Sequence, residues 1–259
     1  MGQLEDKAAL VTGGSSGIGR AAALAFAREG AKVAVNANTN IKGGEETVLM
    51  IKEAGGEAIF VKADASKAVE VEAMVKKTVK AYGRLDCAFN NAGVVDIPGA
   101  LAFAPEKTAD YSEKEWDYVI SVNLKGVWLC MKYEIIQMRK QGGGAIVNNS
   151  SILGLVGIPG GPAYVASKHG VIGLTKAAAL EYAQEGIRVN AVCPGWISTS
   201  MTDRTLNNPD IKAMVIGMVP VRRMGKTEEV GEAVVWLCSD AASFVTGHSM
   251  VVDGGLVAQ

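Results

Sequence analysis

The 259-residue sequence predicts an α/β fold: one parallel sheet, doubly wound with helices on both faces, in a single domain. Three observations predict it. Short apolar runs alternate with helical stretches almost from end to end, and a glycine-rich turn joins the first run to the first helix. No Pro/Ser-rich linker and no internal repeat of roughly 20–50 residues divides the chain.

The elements follow in order. Lys7–Thr12 reads as a strand, Gly17–Glu29 as a helix, Ala31–Asn36 as a strand and Gly44–Ala54 as a helix. Ala58–Val61 then reads as a strand, Lys67–Tyr82 as a helix and Asp86–Asn90 as a strand. Ser112–Arg139 reads as one long helix, Gly144–Asn149 as a strand, Ala163–Glu181 as a helix and Ile187–Val192 as a strand. Thr227–Ser239 (helix) and Ser249–Val252 (strand) close the series. Runs such as Ala145-Ile146-Val147 are too short for periodicity to fix their type, so the regular alternation with helices decides. Strands apolar on both sides belong to a parallel sheet covered on both faces. Gly30, Gly55-Gly56, Gly83 and Gly186 mark helix exits, where a left-handed residue is cheapest. Two interruptions, Val94–Asp110 and Ser198–Lys226, are long. Ligands sit at the carboxyl ends of strands in such sheets, so these loops are substrate-site candidates and the second is expected to act as a lid.

Composition excludes several classes. Hydrophobic residues make up 49% and charged residues 20%, the balance of a globular protein. Twenty-six basic and 27 acidic side chains leave a net charge of −1, without the basic excess that nucleic-acid or anionic-membrane partners require. No apolar run approaches the roughly 18 residues of a membrane span. Cys87, Cys130, Cys193 and Cys238 are far apart in apolar stretches and read as buried free thiols. No His/Cys/Asp cluster has metal-ligand spacing, so no metal is expected. The first six residues lack a cationic region followed by an apolar one, and a cytoplasmic, reducing setting is the expectation.

The turn Thr12-Gly13-Gly14-Ser15-Ser16-Gly17-Ile18-Gly19 carries the first chemistry. Its glycines allow a tight turn, a close approach to a pyrophosphate, and close helix–strand packing. The helix N-terminus behind it offers unpaired N–H groups and a positive dipole end. Placed after the first strand of a βαβ unit, it points to a dinucleotide and a Rossmann-like sheet. The second feature is Tyr164 and Lys168, spaced i, i+4 on one face of a helix. An ammonium beside a phenol favours phenolate and draws a pKa of about 10 toward the range of a general acid/base. Ser151 ends the strand before that helix and can donate to a substrate oxygen.

The whole set resembles the short-chain dehydrogenase/reductase family, in its compact single-domain branch. Thr12-Gly13-x-x-x-Gly17-Ile18-Gly19 matches the cofactor turn of that family, and Asp64 its adenine-contacting Asp. Asn90-Asn91-Ala92-Gly93 matches the end of the family's fourth strand, and Pro194-Gly195-x-x-x-Thr199 the segment that holds the nicotinamide carboxamide. Asn123, Ser151, Tyr164 and Lys168 match the catalytic tetrad, and the correspondence runs from about Leu4 to Gly255. The resemblance implies an NAD(P)-dependent oxidoreductase that interconverts a ketone or aldehyde with an alcohol by hydride transfer. Tyr164 passes the proton, Ser151 bonds the substrate oxygen, Lys168 holds the nicotinamide ribose, and Asn123 keeps a water for a proton relay. The cofactor contacts it implies are Gly13, Ser15, Ser16, Gly17, Ile18 and Gly19; Ala37, Asn38 and Thr39; Asp64 and Ala65; Asn91, Ala92 and Gly93; Tyr164 and Lys168; and Pro194, Gly195, Ile197 and Thr199.

Other features take the plainer reading. His169 and His248 read as structural, Trp128 and Trp236 as core or interface, and Gly142-Gly143-Gly144 as a turn. An acidic residue ending the second strand would bind the adenosine ribose and repel a 2′-phosphate, but Ala37 occupies that place. Asn38, Thr39 and Lys42 could meet a phosphate, so NADP(H) is favoured over NAD(H). Met201, Met214, Met218 and Met224 in the lid suggest a small apolar ketone or alcohol as substrate. A 3-oxoacyl-carrier-protein reductase is the alternative, with Arg222-Arg223 and Lys226 as the basic surface it would need. A non-catalytic dinucleotide-sensing regulator stands further off, because Tyr164 and Lys168 are both present. Apolar runs at Val127, Trp128, Cys130 and Met131, and at Val234, Val235, Trp236 and Leu237, together with the resemblance, imply a homotetramer.

Overall fold

The computed structural model describes residues 2–95 and 107–258, without the side chains of residues 204 and 205. Seven strands form one sheet: β1 (Ala8–Val11), β2 (Lys32–Ala37), β3 (Ala58–Lys62), β4 (Cys87–Asn90), β5 (Gly144–Asn149), β6 (Ile187–Pro194) and β7 (Ser249–Val252). Their order is β3-β2-β1-β4-β5-β6-β7 and every pairing is parallel. The helices are α1 (Gly17–Arg28), α2 (Ile41–Glu53), α3 (Ala68–Tyr82), α4 (Glu113–Ile120), α5 (Gly126–Gln141), α6 (Pro162–Tyr182), α7 (Ser200–Leu206), α8 (Pro209–Met218) and α9 (Thr227–Cys238). This is the doubly wound, Rossmann-like α/β fold the alternation predicts.

Alternation along each strand divides the core in two. Ala9 and Val11 pack with Phe26 of α1 and Val230, Val234 and Leu237 of α9 on one face. Leu10 packs with Val71 and Met74 of α3, Met131 and Met138 of α5 and Val171 of α6 on the other. The winding reverses between β1 and β4, which are neighbours although β2 and β3 intervene in the chain. At such a switch point the loops leaving two adjacent strands turn apart and open a crevice at their carboxyl ends.

Three expectations change. The helix expected over Ser112–Arg139 is α4 and α5 joined by a π-helical turn over Ser121–Lys125, centred on Asn123. The helical pattern reads straight through this turn because one extra residue per turn leaves no Gly or Pro mark. The lid region Ser198–Lys226 contains α7 and α8, the second begun by Asn208, whose side chain accepts from Asp210 N, and by Pro209. Most of the interruption Val94–Asp110 lies outside the described residues. The apolar runs assigned to interfaces mostly cover the sheet instead. Val127, Cys130, Met131, Val234, Val235 and Leu237 are all buried, and of those runs only Trp128 is exposed. A helix over a sheet buries a wide stripe, so an apolar run alone does not mark an outer face.

All four cysteines are buried free thiols. His169 is exposed, its ring nitrogen meeting Val165 O at 3.0 Å, rather than packed. Among the described residues no helix is long and apolar enough to cross a membrane, and no group of three or more His, Cys, Asp or Glu could hold a metal ion.

Candidate active site

The glycine turn is fastened to the end of β4. Thr12 Oγ1 accepts from the N–H groups of Asn91 (2.9 Å) and Ala92 (3.1 Å), and Asn91 Nδ2 donates to Thr12 O (3.0 Å) and Gly13 O (3.2 Å). Gly13 and Gly17 have φ of +64° and +52°, which L side chains rarely adopt. From behind, Arg20 Nη2 donates to Ser15 O (2.7 Å) and Gly43 O (3.0 Å), bracing the turn against α2. Ser16, the residue before α1, makes no side-chain cap, so the first N–H groups of the helix face the crevice without an internal partner from it. An anion is the complement such an end calls for.

At the end of β2, Ala37 is buried while Asn38 and Thr39 are exposed, and Asn40 caps α2 by accepting from Gly43 N at 3.1 Å. Beyond β3, Ser66 donates through N (2.9 Å) and Oγ (2.7 Å) to Asp64 Oδ1, which shapes the neighbouring wall.

At the other end stand Ser151, Tyr164 and Lys168. Lys168 Nζ donates to Asn149 O (2.8 Å) and lies 5.4 Å from the centre of the Tyr164 ring. Ser151 Oγ accepts from Leu153 N at 3.1 Å. Burial pushes Tyr164 up to about 12, opposed by a hydrogen bond with Ser151. Burial likewise pulls Lys168 down to about 8. Desolvation, which disfavours the charged form of each group, sets both directions, and the lowering of the phenol expected from the ammonium is not met.

A single cavity of about 830 Å³ connects the two ends, within the usual range of ligand pockets. Its lining includes nearly all the residues expected at the site, from Gly13 and Ser15 to Ile197 and Thr199. Gly19 and Asn123 are not brought into it. A Cβ at Gly19 would lie 2.3 Å from Gly13 O and 2.5 Å from Asn91 Nδ2, so this glycine serves the packing of α1 on the turn. The Asn123 side chain accepts from Val94 N (2.8 Å) and donates to Val94 O (2.7 Å) and, at 3.4 Å, to Ser167 Oγ.

Several lining residues were not foreseen. Lys67 stands near the Asp64 wall, and Asn149 joins β5 to both Lys168 and Asn91. Tyr118, Val156, Ile158, Trp196, Leu256 and Val257 also line the cavity. Asp253 is the signal that could have revealed the last two: it accepts from Gly255 N and Val257 N, both at 2.8 Å, and folds the segment back on the site.

The residues present fit a dinucleotide. A Cβ at Gly13 would meet Ala92 Cα and Asn91 Nδ2 at 3.0 Å, so only a bare backbone lets the turn lie this close to the end of β4. The cavity runs from this turn, past an uncharged β2 end, to a tyrosine and a lysine. Fold and site together define a dinucleotide-dependent oxidoreductase. The profile of the family described as enoyl-(acyl carrier protein) reductase matches residues 13–257. The chain is 43% identical to a 3-oxoacyl-[acyl-carrier-protein] reductase of Staphylococcus aureus, over 96% of this chain and 98% of that one. It is 42% identical to a cyclohexanol dehydrogenase of Acinetobacter sp., over 97% and 95%. A provisionally assigned 2-deoxy-D-gluconate 3-dehydrogenase from Agrobacterium tumefaciens, solved with bound NADP, superposes with a TM-score of 0.88 at 34% identity, covering 99% of this chain and 98% of its own. The chain belongs to the short-chain dehydrogenase/reductase family, whose members are NAD(P)-dependent oxidoreductases.

Proposed function

We propose that this protein is an NADP(H)-preferring carbonyl reductase for small apolar ketones, with Tyr164 as its acid/base. The observation that carries the reading is the meeting of Ser151, Tyr164 and Lys168 at one end of the cavity whose other end is the glycine turn. The turn and the start of α1 would hold the pyrophosphate, and Ala37, Asn38 and Thr39 the adenosine ribose. Lys168 would hold the nicotinamide ribose, and Pro194, Gly195, Ile197 and Thr199 the carboxamide side. When bound, the nicotinamide supplies or takes the hydride.

The chain's own groups handle the proton and the position. Tyr164, protonated at neutral pH because burial holds it near 12, gives its proton to the substrate oxygen in the reducing direction. Ser151 donates a hydrogen bond to the same oxygen, and the ammonium of Lys168 favours the phenolate left behind. Asn123 fixes the main chain at Val94 and would keep a water for the proton relay. Val156, Ile158, Trp196, Met218, Leu256 and Val257 exclude water around the reacting carbon. Among the described lining residues the charged side chains are Asp64, Lys67 and Lys168, and with Lys168 given to the ribose the lining supports an uncharged substrate. NADP(H) is supported by the absence of a carboxylate at Ala37, with Lys42 in the first turn of α2 and Lys67 on the adenine wall.

The staphylococcal relative gives a second reading, a thioester-linked 3-oxoacyl substrate on an acidic carrier. Its expected docking arginines are engaged: Arg223 pairs with Glu229 at 2.6 Å, and Arg222 donates to Gly217 O. The protein is further proposed to be a cytoplasmic homotetramer, with α7 and α8 as the substrate lid. Tyr164→Phe tests the central claim. Dinucleotide binding should persist while kcat falls by at least about 10²-fold; near-normal kcat across the pH range would remove Tyr164 from its role.

A further inference from the structure

One carboxyl lies wholly inside the protein and outside this chemistry. Glu134, on α5, is 0% exposed, and its Oε2 accepts from Asn90 Nδ2 at 2.9 Å. The same amide donates to Asn148 Oδ1 at 3.0 Å, and Asn148 Nδ2 donates to Thr175 Oγ1 of α6 at 3.0 Å. Thr175 Oγ1 then donates to Val171 O at 2.8 Å. All four polar side chains of this run are buried. Among the described residues no cation pairs with Glu134, and Glu134 Oε1 and Asn90 Oδ1 have no partner at all. A half-satisfied buried network stabilises less than an apolar filling of the same shape would. Stability does not account for it.

Its place does. Asn90 and Asn148 are register partners across β4 and β5. Each directly precedes a residue that lines the cavity from the opposite face of the sheet. Asn91 fastens the glycine turn, and Asn149 accepts from Lys168 and donates to Asn91 Oδ1 at 2.9 Å. The amide pair below is thus one residue from the pair that places the turn and the lysine above.

We propose that Glu134 is a positioning residue, which through Asn90 and Asn148 sets the ends of β4 and β5 and so places Asn91 and Lys168 for cofactor binding and proton transfer. It works as the neutral acid, since burial pushes its carboxyl up to about 8. The inference rests on Asn91 and Lys168 holding the dinucleotide. That reading would fail in the wild-type protein, which would then not bind NADP(H), and would take the inference with it; the inference by itself fails only in the variants.

The test compares Glu134→Gln, Glu134→Met and Thr175→Val by NADPH Kd, kcat at 25 °C and Tm. Glu134→Gln keeps the shape and an acceptor for Asn90, so Kd and kcat should stay near wild type. Glu134→Met and Thr175→Val should each weaken Kd and lower kcat on the order of tenfold while still folded at the assay temperature, the scale that misplacement of reacting groups carries. If Glu134→Met does not fold, Thr175→Val, which removes the far acceptor, decides by itself. A lowered Tm with unchanged Kd and kcat would overturn the proposal, as would a Gln variant as impaired as the Met variant.

Discussion

Position 37 carries a methyl group where a carboxylate would decide the cofactor. Ala37 ends β2 and lines the cavity beside Asn38 and Thr39. Ala37→Asp should therefore shift the ratio of kcat/KM for NADH over NADPH strongly upward, because a 2′-phosphate would meet a negative charge. A ratio that stays put would show that the ribose does not lie against residue 37. Two buried groups make a second prediction, on stability. Glu134 is raised from 4.5 to about 8, so between those pH values the folded chain holds a proton the unfolded chain has lost, and stability falls as pH rises. Lys168 is lowered from 10.5 to about 8, so above pH 8 the unfolded chain holds the extra proton, and this term raises stability with pH. In Glu134→Gln the first term vanishes. The Tm of the variant relative to wild type should climb from pH 5 to 8 and level off beyond; a flat difference would mean that Glu134 is ionised in the fold.

The elements that position the site were legible to different degrees, for physical reasons. The turn after β1 and the Tyr164–Lys168 pair are local patterns, so spacing alone exposed them. The walls at Trp196, Leu256 and Val257 were not legible, because long-range folding brings them to the site. The break at Asn123 was also hidden, since a π turn keeps its neighbours helical. Yet that break separates α4 from α5 and puts the Asn123 amide on Val94. Gly19 was legible as a motif residue but acts in packing: α1 meets the turn so closely that a single methyl has no space. Gly19→Ala should cost roughly 1–3 kcal/mol as overpacking, and weaken NADPH binding by pushing the helix start off the turn. Thermal unfolding and NADPH titration check both parts. An unchanged Kd beside a lowered Tm would separate the helix position from cofactor binding.

At the scale of the whole molecule, the burial pattern moves the argument for assembly to other residues than the sequence suggested. Val127, Cys130 and Met131 face the sheet, whereas Trp128 and Ile136 of α5 remain 45% and 42% exposed and Leu180 of α6 is 85% exposed. Lys132 Nζ lies 5.7 Å from the Trp128 ring, which leaves that ring a charged neighbour but little cover. Phe244 is fully exposed and Val251, on β7, is 39% exposed, at the far end of the sheet order. Large apolar side chains exposed on α5 and α6, and others at Phe244 and on β7, are what two twofold interfaces would cover, and two such axes would generate a tetramer. Light scattering at micromolar concentration should return four times the 27.0 kDa chain mass. Trp128→Glu should remove the α5–α6 interface and Phe244→Glu the other, each leaving dimers, and the double variant should be monomeric. A wild-type monomer would sink the proposal outright. A wild-type dimer abolished by Trp128→Glu but indifferent to Phe244→Glu would leave the helix pairing standing and remove the interface at β7.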